Sequence, residues 1–379
     1  MDFRMSQEHQ DLFDRTLDFA QRSFSERAFQ RDSYAWDSAR VLAEQGMTGI
    51  TIPEAYGGQG GSLLDAVVVM DAVSRVCPHS GDVLQATNFG AIRQIAELGD
   101  EALKADLLPK LIAGERLVGV GMSEPDAGSA LTDLKTTAAY DGDSVVINGQ
   151  KCWTTHGPEL TDLVVWCRFG PRSSDIGAVR VPTDSPGFSR GPVERFMSGE
   201  QHCVSFLDNV RVPRGNVLGD HQVLGRLMSV FGVERLGNAT RSYSLAHRAF
   251  QIAVEHAKER TQFDRHLSEF QGIQWTLAEM RTQLEAARLL IYQAATNASV
   301  GSPSVTEATM AKLFANQMAF TVANNAMQIL GAQGYTKGSP IEYIVRRVRG
   351  WMIAGGTIEM LRNRVAEDVL GQRISQRPT

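Results

Sequence analysis

Apolar residues recur along this chain with two different periods, and the switch between them marks out three zones. In residues 1–115, Leu12, Phe13, Thr16, Leu17 and Ala20 share one face of a helix, and helical spacing dominates. The run TIPEAYGGQGGS breaks this zone; Pro53 and four glycines predict a loop. In residues 116–225 the period shortens. DLVVWCRF, DIGAVRVP and CVSFLDNVRVP are short β-rich runs bounded by Gly, Pro or Asp. SVVINGQKCW alternates around Asn148-Gly149, a dipeptide that predicts a hairpin turn there. This zone reads as a small antiparallel β domain. In residues 226–379 the helical period returns. Leu277, Met280, Leu284, Ala287 and Ile291 follow at steps of three and four, the seam of one long helix. Ser304 and Glu307 predict a capping box before the next helix, through Met310, Leu313 and Phe320, which Gly331 and Gly334 end. Long helices with short links predict an antiparallel four-helix bundle.

Composition narrows the classes. A chain of 379 residues that is 43% hydrophobic and 21% charged has the make-up of a soluble protein with more than one core. Its net charge of −5 argues against a nucleic-acid partner, since phosphate binding needs concentrated Lys and Arg. No run of about 18 apolar residues predicts a membrane span. The amphipathic, charged N-terminus lacks the apolar centre of a signal peptide, so a cytoplasmic location is expected. Cys77, Cys152, Cys167 and Cys203 are scattered and read as buried thiols, and the histidines lack metal-ligand spacing.

Three segments could carry chemistry. GMSEPDAGSA, residues 121–130, offers hydroxyls and bare backbone N–H groups; an ordinary turn has the same composition. KCWTTHG, residues 151–157, sets Trp153 beside two threonines. That suits a planar heterocycle stacked on the ring and hydrogen-bonded at its edge, and it also suits a Trp in a β core. ERTQFD, followed by Phe270-Gln271, offers a cation and an aromatic ring, or a solvated helix end.

Taken in order, IPEAYGGQGG, LLPKLIAGE, SEPDAGS, KCWTTHG, VPTDSPGF, VRVP with Asn216 and LG, ERTQF, FQ, QILGAQGY and GGTIEM resemble the acyl-CoA dehydrogenase family over nearly the whole chain. The resemblance implies an α+β, mainly α fold: an N-terminal helical domain, a middle antiparallel β-barrel-like domain and a C-terminal four-helix bundle. It implies FAD between the middle domain and the bundle, and a homotetramer or dimer. Met122 and Ser123 would meet the flavin pyrimidine edge, Trp153 would lie against the ring, and Thr155 would face N5. Arg260, Phe263 and Gln271 would hold the pyrophosphate and adenine side. Gln328 would reach it from a partner subunit, Thr357 would bind the ribityl-phosphate side, and Glu359 would lie beside the cofactor. Ser129 and Arg235 would touch the pantetheine-type arm of an acyl thioester.

The family's reaction removes an α proton and a β hydride from that thioester. In most relatives the base is a Glu at the position of Gly355, which has no side chain. In branched-chain and long-chain members the Glu instead precedes an Arg on an earlier helix, and here Glu234 precedes Arg235. Glu234 is therefore the expected base, with Glu359 the rival. The backbone N–H at Gly355 would still hold the thioester oxygen. Ala354 and Gly355 predict room for a branched, cyclic or bulky acyl group.

The sequence departs from the family pattern at His156, Ala130, Ala332 and Gly232, and in RRVR at 346–349. Loss of an Asp at Gly232 leaves a carrier-protein thioester as an alternative to acyl-CoA. Electrons would pass to an electron-transfer flavoprotein. A flavin monooxygenase or oxidase on the same fold, and a non-enzymatic assembly protein, are the other readings.

Overall fold

The computed structural model describes residues 4–29, 33–298 and 302–374. Helices come first: α1 (Gln7–Phe24), α2 (Trp36–Glu44), α3 (Leu63–Val76), α4 (Pro78–Leu84), α5 (Ala91–Leu98) and α6 (Glu101–Ile112). A strand-rich stretch follows: β1 (Val118–Gly121), β2 (Thr137–Asp141), β3 (Ser144–Thr155), β4 (Asp162–Arg168), β5 (Ile176–Pro182), β6 (Phe188–Arg190), β7 (Glu194–Arg195), β8 (Gln201–Pro213) and β9 (Val217–Gly219). Then come α7 (Leu224–Glu259), a small hairpin of β10 (Thr261–Gln262) and β11 (Arg265–His266), α8 (Gln271–Thr296), α9 (Val305–Leu330), α10 (Ala332–Tyr335), α11 (Pro340–Trp351) and α12 (Ile358–Leu370). No helix among the described residues is long and apolar enough to cross a membrane. The four cysteines are buried and free.

Helix starts obey local chemistry. The Ser6 hydroxyl accepts from His9 N ahead of α1, and the Asp100 carboxylate accepts from Leu103 N ahead of α6; each satisfies one of the N–H groups a helix start leaves open. The predicted stripe of α1 buries Phe13, Thr16 and Ala20, and that of α8 buries Met280, Leu284, Ala287 and Ile291. The expected capping box at α9 does not form. Ser304 is the N-cap residue but makes no side-chain cap bond, and Glu307 instead accepts from Asn297 Nδ2 at 2.9 Å.

The sheet runs β6-β8-β3-β2-β4-β5-β9, with β1 added parallel to β4 and β7 antiparallel to β8. It is open, so the barrel-like expectation is corrected. The path ends at β6 and β9, three residues each, and such short edges offer little for a closing partner to pair with. β2 and β4 join through one parallel pair, Thr137 with Arg168. The hairpin expected at Asn148-Gly149 is also corrected. The turn lies earlier, at Gly142-Asp143, and β3 continues through Asn148-Gly149 with only a register shift. Gly149, at φ +149°, lets the backbone pass close to Thr136; a Cβ there would meet the Thr136 Cα at 2.7 Å.

The chain divides into two compact units. One comprises Arg31–Ala66 and Asp82–Glu234. Its core gathers Ile92, Ile95, Leu107, Leu108, Val164, Trp166, Ile176 and Leu227, and the buried Trp166 indole donates to Gln94 Oε1 at 3.0 Å.

The other comprises Met1–Gln30, Val67–Gly81 and Arg235–Thr379. Its axis is α9, whose buried alanines at 308, 311, 315, 319, 323 and 326 admit α8, α11 and α12 closely. A polar knot also lies in this unit. Arg75 pairs with Asp71 at 2.7 Å and lies over the rings of Phe13 and Tyr243. It reaches His247 Nε2 at 3.3 Å, while Ser244 Oγ donates to Asp71. Burial first, and the Arg75 charge second, push the His247 pKa from 6.5 down to about 4. The unfolded chain therefore takes up this proton before the folded one does. The stability of the neutral ring is whole above pH 6.5 and declines as pH falls from 6.5 toward 4. The total loss is roughly 3 kcal/mol, from about 1.4 kcal/mol per unit. His247→Gln is expected to flatten the pH dependence of the urea midpoint across that window. An unchanged slope would contradict this role.

Candidate active site

The predicted residues fall in both units. In the sheet-containing unit, the loop leaving β1 is fastened to β3. Ser123 O accepts from Cys152 N at 2.9 Å, and Met122 O accepts from Lys151 Nζ at 3.2 Å. The Lys151 ammonium, fully buried, also donates to Glu124 Oε1 at 2.7 Å. That carboxylate further accepts from the N–H groups of Lys135 and Thr136. Burial raises the Glu124 pKa, but these donors outweigh it and hold the carboxyl below its ordinary range. These bonds pin Met122 and Ser123 beside Lys151–Trp153.

At this point β3 breaks register with β8 between Lys151 and Thr154. Trp153 takes φ +60° and His156 φ +55°, a conformation that costs a bulky residue about 1–3 kcal/mol. The consequence is a change of facing. Lys151, Cys152 and Thr154 are buried, whereas Thr155 is exposed and the Trp153 indole is 55% exposed, tilted against Phe196 at 5.8 Å. An open indole held at a strained bend, with the Ser123 and Thr155 hydroxyls on the same two segments, suits a flat heterocycle with a polar edge. The buried Thr154 hydroxyl, on the opposite side of the strand from Thr155, finds no hydrogen-bond partner among the described residues. Ser129 is exposed in the loop beyond the Glu124–Ala127 bridge. Glu234, half-buried, lies in the third turn of α7. Its carbonyl accepts from Gln85 Nε2 at 3.3 Å, and Gln85 opens a π-helical turn, Gln85–Phe89, a form frequent at functional sites.

In the helical unit, the turn from α11 to α12 carries Gly355 at φ +70° and Gly356 at φ +99°. Both angles favour glycine, so the paired glycines are a backbone requirement. Arg235 Nε donates to Gly355 O at 3.4 Å. Thr357 is the N-cap of α12, its hydroxyl accepting from Met360 N at 3.3 Å. Glu359 is exposed, and its carboxyl is held below the ordinary range by its own backbone N–H and then the Thr357 hydroxyl. A stabilised, solvated carboxylate of this kind is a poor proton acceptor.

Arg260, Phe263 and Gln271 cluster elsewhere in the same unit. Phe263 and Asp264 form the tip of the β10–β11 hairpin, both at positive φ, and the Phe263 ring is 87% exposed. It meets Phe270 edge-on at 6.5 Å, one residue before the exposed Gln271. Asn297 bonds Glu307, so α8 and α9 run antiparallel, and Gln328 lies at the Gln271 end of the pair. Within one chain Gln328 is not brought to the glycine turn. The turn is held at Lys312, and sixteen helical residues on from it span about 24 Å.

Three family models match the chain in sequence order. The acyl-CoA dehydrogenase N-terminal, middle and C-terminal domain models match residues 6–115, 119–210 and 224–370. The chain is 37% identical to the 3-sulfinopropanoyl-CoA desulfinase of Paraburkholderia xenovorans (strain LB400), over 91% of each chain. It is 32% identical to the acryloyl-CoA reductase (NADH) of Anaerotignum propionicum, over 98% of this chain and 96% of that one. Butyryl-CoA dehydrogenase from Megasphaera elsdenii superposes with a TM-score of 0.92 at 29% identity, over 98% of this chain and 100% of that structure. The motif order, the fold and the matched domains agree: the chain belongs to the acyl-CoA dehydrogenase family of FAD-binding oxidoreductases.

Proposed function

We propose that this protein dehydrogenates an acyl thioester at its α,β carbons, with Glu234 as the base. Bound FAD would supply the two-electron oxidising capacity. The chain's own task is the α proton, which is weakly acidic. A carboxylate shielded from water takes it most readily, because drying raises the carboxylate pKa toward neutrality. The observation carrying the reading is the fate of the alternatives: Gly355 offers no side chain, and Glu359 is an exposed cap carboxylate held below its ordinary range. Glu234 is half-buried, less open to water than Glu359, which favours it over that rival.

Met122, Ser123, Trp153 and Thr155 would hold the flavin ring. Thr357 would hold the phosphate side, and Arg260, Phe263, Gln271 and a second chain's Gln328 the far end. That last contact makes a homo-oligomer part of the reading. Ser129 and Arg235 would take the thioester arm, with Gly355 N–H on its oxygen. The substrate is a branched, cyclic or bulky acyl-CoA, with a carrier-bound thioester as the alternative, and the electron acceptor is an electron-transfer flavoprotein.

The test is anaerobic bleaching of the flavin by a panel of CoA and carrier-bound thioesters. Branched or cyclic acyl groups are expected to bleach it faster than butyryl-CoA. Bleaching by none of them ends the reading. The 37% identity to a desulfinase favours one second reading, cleavage of a carbon–sulfur bond in a 3-sulfinoacyl thioester. Release of a sulfur oxyanion without lasting bleaching would select it.

A further inference from the structure

The turn from α11 into α12 is gripped from behind by Lys312 and Asn316, which the proposed chemistry does not use, together with Arg235. Lys312, in the second turn of α9, is fully buried, and its Nζ donates to Trp351 O and Gly356 O, both at 3.1 Å. Its Cε lies 3.4 Å from where a Gly355 Cβ would stand. Asn316, one turn on, also donates to Trp351 O, and its Oδ1 accepts from Ser242 Oγ at 2.9 Å. The Trp351 ring lies near two further guanidinium groups, Arg241 at 4.7 Å and Arg347 at 5.4 Å. Arg235 takes Gly355 O. Three carbonyls of one short turn are thus drawn toward buried or half-buried cations.

In a trans peptide the carbonyl and the next residue's N–H point in opposite directions. With Gly355 O on Arg235 and Gly356 O on Lys312, the N–H groups of Gly356 and Thr357 are turned away from those cations. They lie at the start of the 13-residue α12, where the helix dipole favours an anion. We infer that Lys312 is a positioning residue for the cofactor. By holding Gly356 O, it aims the Gly356 and Thr357 N–H groups at the FAD diphosphate. This rests on FAD being the cofactor and is independent of the substrate and of Glu234.

The test compares FAD with riboflavin, which shares the ring and lacks the phosphates, on the full chain after flavin removal. Lys312→Met is expected to weaken FAD about tenfold to a hundredfold, the scale of charge-assisted hydrogen bonds lost, and to leave riboflavin unchanged. Should that variant fail to fold, Asn316→Ala keeps the ammonium while releasing one hold on Trp351 O. It is expected to weaken FAD about two- to fivefold, again sparing riboflavin. A merely structural role would lower both affinities together, and that result overturns the inference. So does unchanged FAD affinity in either folded variant. A wild-type chain that binds riboflavin but not FAD would instead refute the cofactor assignment itself.

Discussion

Replacing Glu234 with Gln is expected to leave a folded, yellow protein whose flavin acyl thioesters no longer bleach. The amide matches the carboxylate in size, so the half-buried position and the neighbouring Gln85 contact to the backbone survive. Only the ability to accept a proton is removed. Positioned general bases contribute about 10²- to 10⁴-fold, and the bleaching rate should fall by that factor. Affinity for an unreactive thioester, with sulfur in place of the β carbon, should change little, because ground-state binding does not need the proton acceptor. Bleaching within about tenfold of the wild-type rate would remove Glu234 from the reaction.

Lys151→Met carries the largest expected cost in stability. The ammonium and the Glu124 carboxylate are 0% and 5% exposed, so neither can turn to water for its missing partner. Breaking a buried pair from one side costs about 3–5 kcal/mol. The Glu124 charge would keep its two backbone donors, and Met122 O would lose its bond to Lys151. Because protonation would relieve the stranded carboxylate, the loss should be smaller at pH 5 than at pH 8. Glu124→Gln combined with Lys151→Met should recover part of the stability, since no charge is left buried. Urea unfolding of the single and double variants decides the matter. A double variant no more stable than Lys151→Met would show that the pair is not what holds this loop.

Much of this was legible in the chain itself. The α1 and α8 stripes buried as their spacing predicted, because helical periodicity is local and burial follows it. The glycine pair at 355–356 was readable as a special turn, and both residues do take positive φ. The misreadings share one cause. Asn148-Gly149 favours a hairpin locally, yet β8 pairs along both sides of it and pulls β3 straight on, with Gly149 absorbing the close approach of Thr136. Ser304 and Glu307 match a capping box, but Asn297 at the end of α8 claims the carboxylate.

Sequence alone determined the helical and β zones, the run of motifs and the missing carboxylate at Gly355, since each depends on residue identity and short-range spacing. Tertiary structure decided which Thr of Thr154-Thr155 faces out, that Lys151 serves Glu124 and Met122, and that Lys312 serves a turn 44 residues away. A buried charge must find its partner wherever the fold places one. No local pattern encodes a bond that forms only when distant segments have packed.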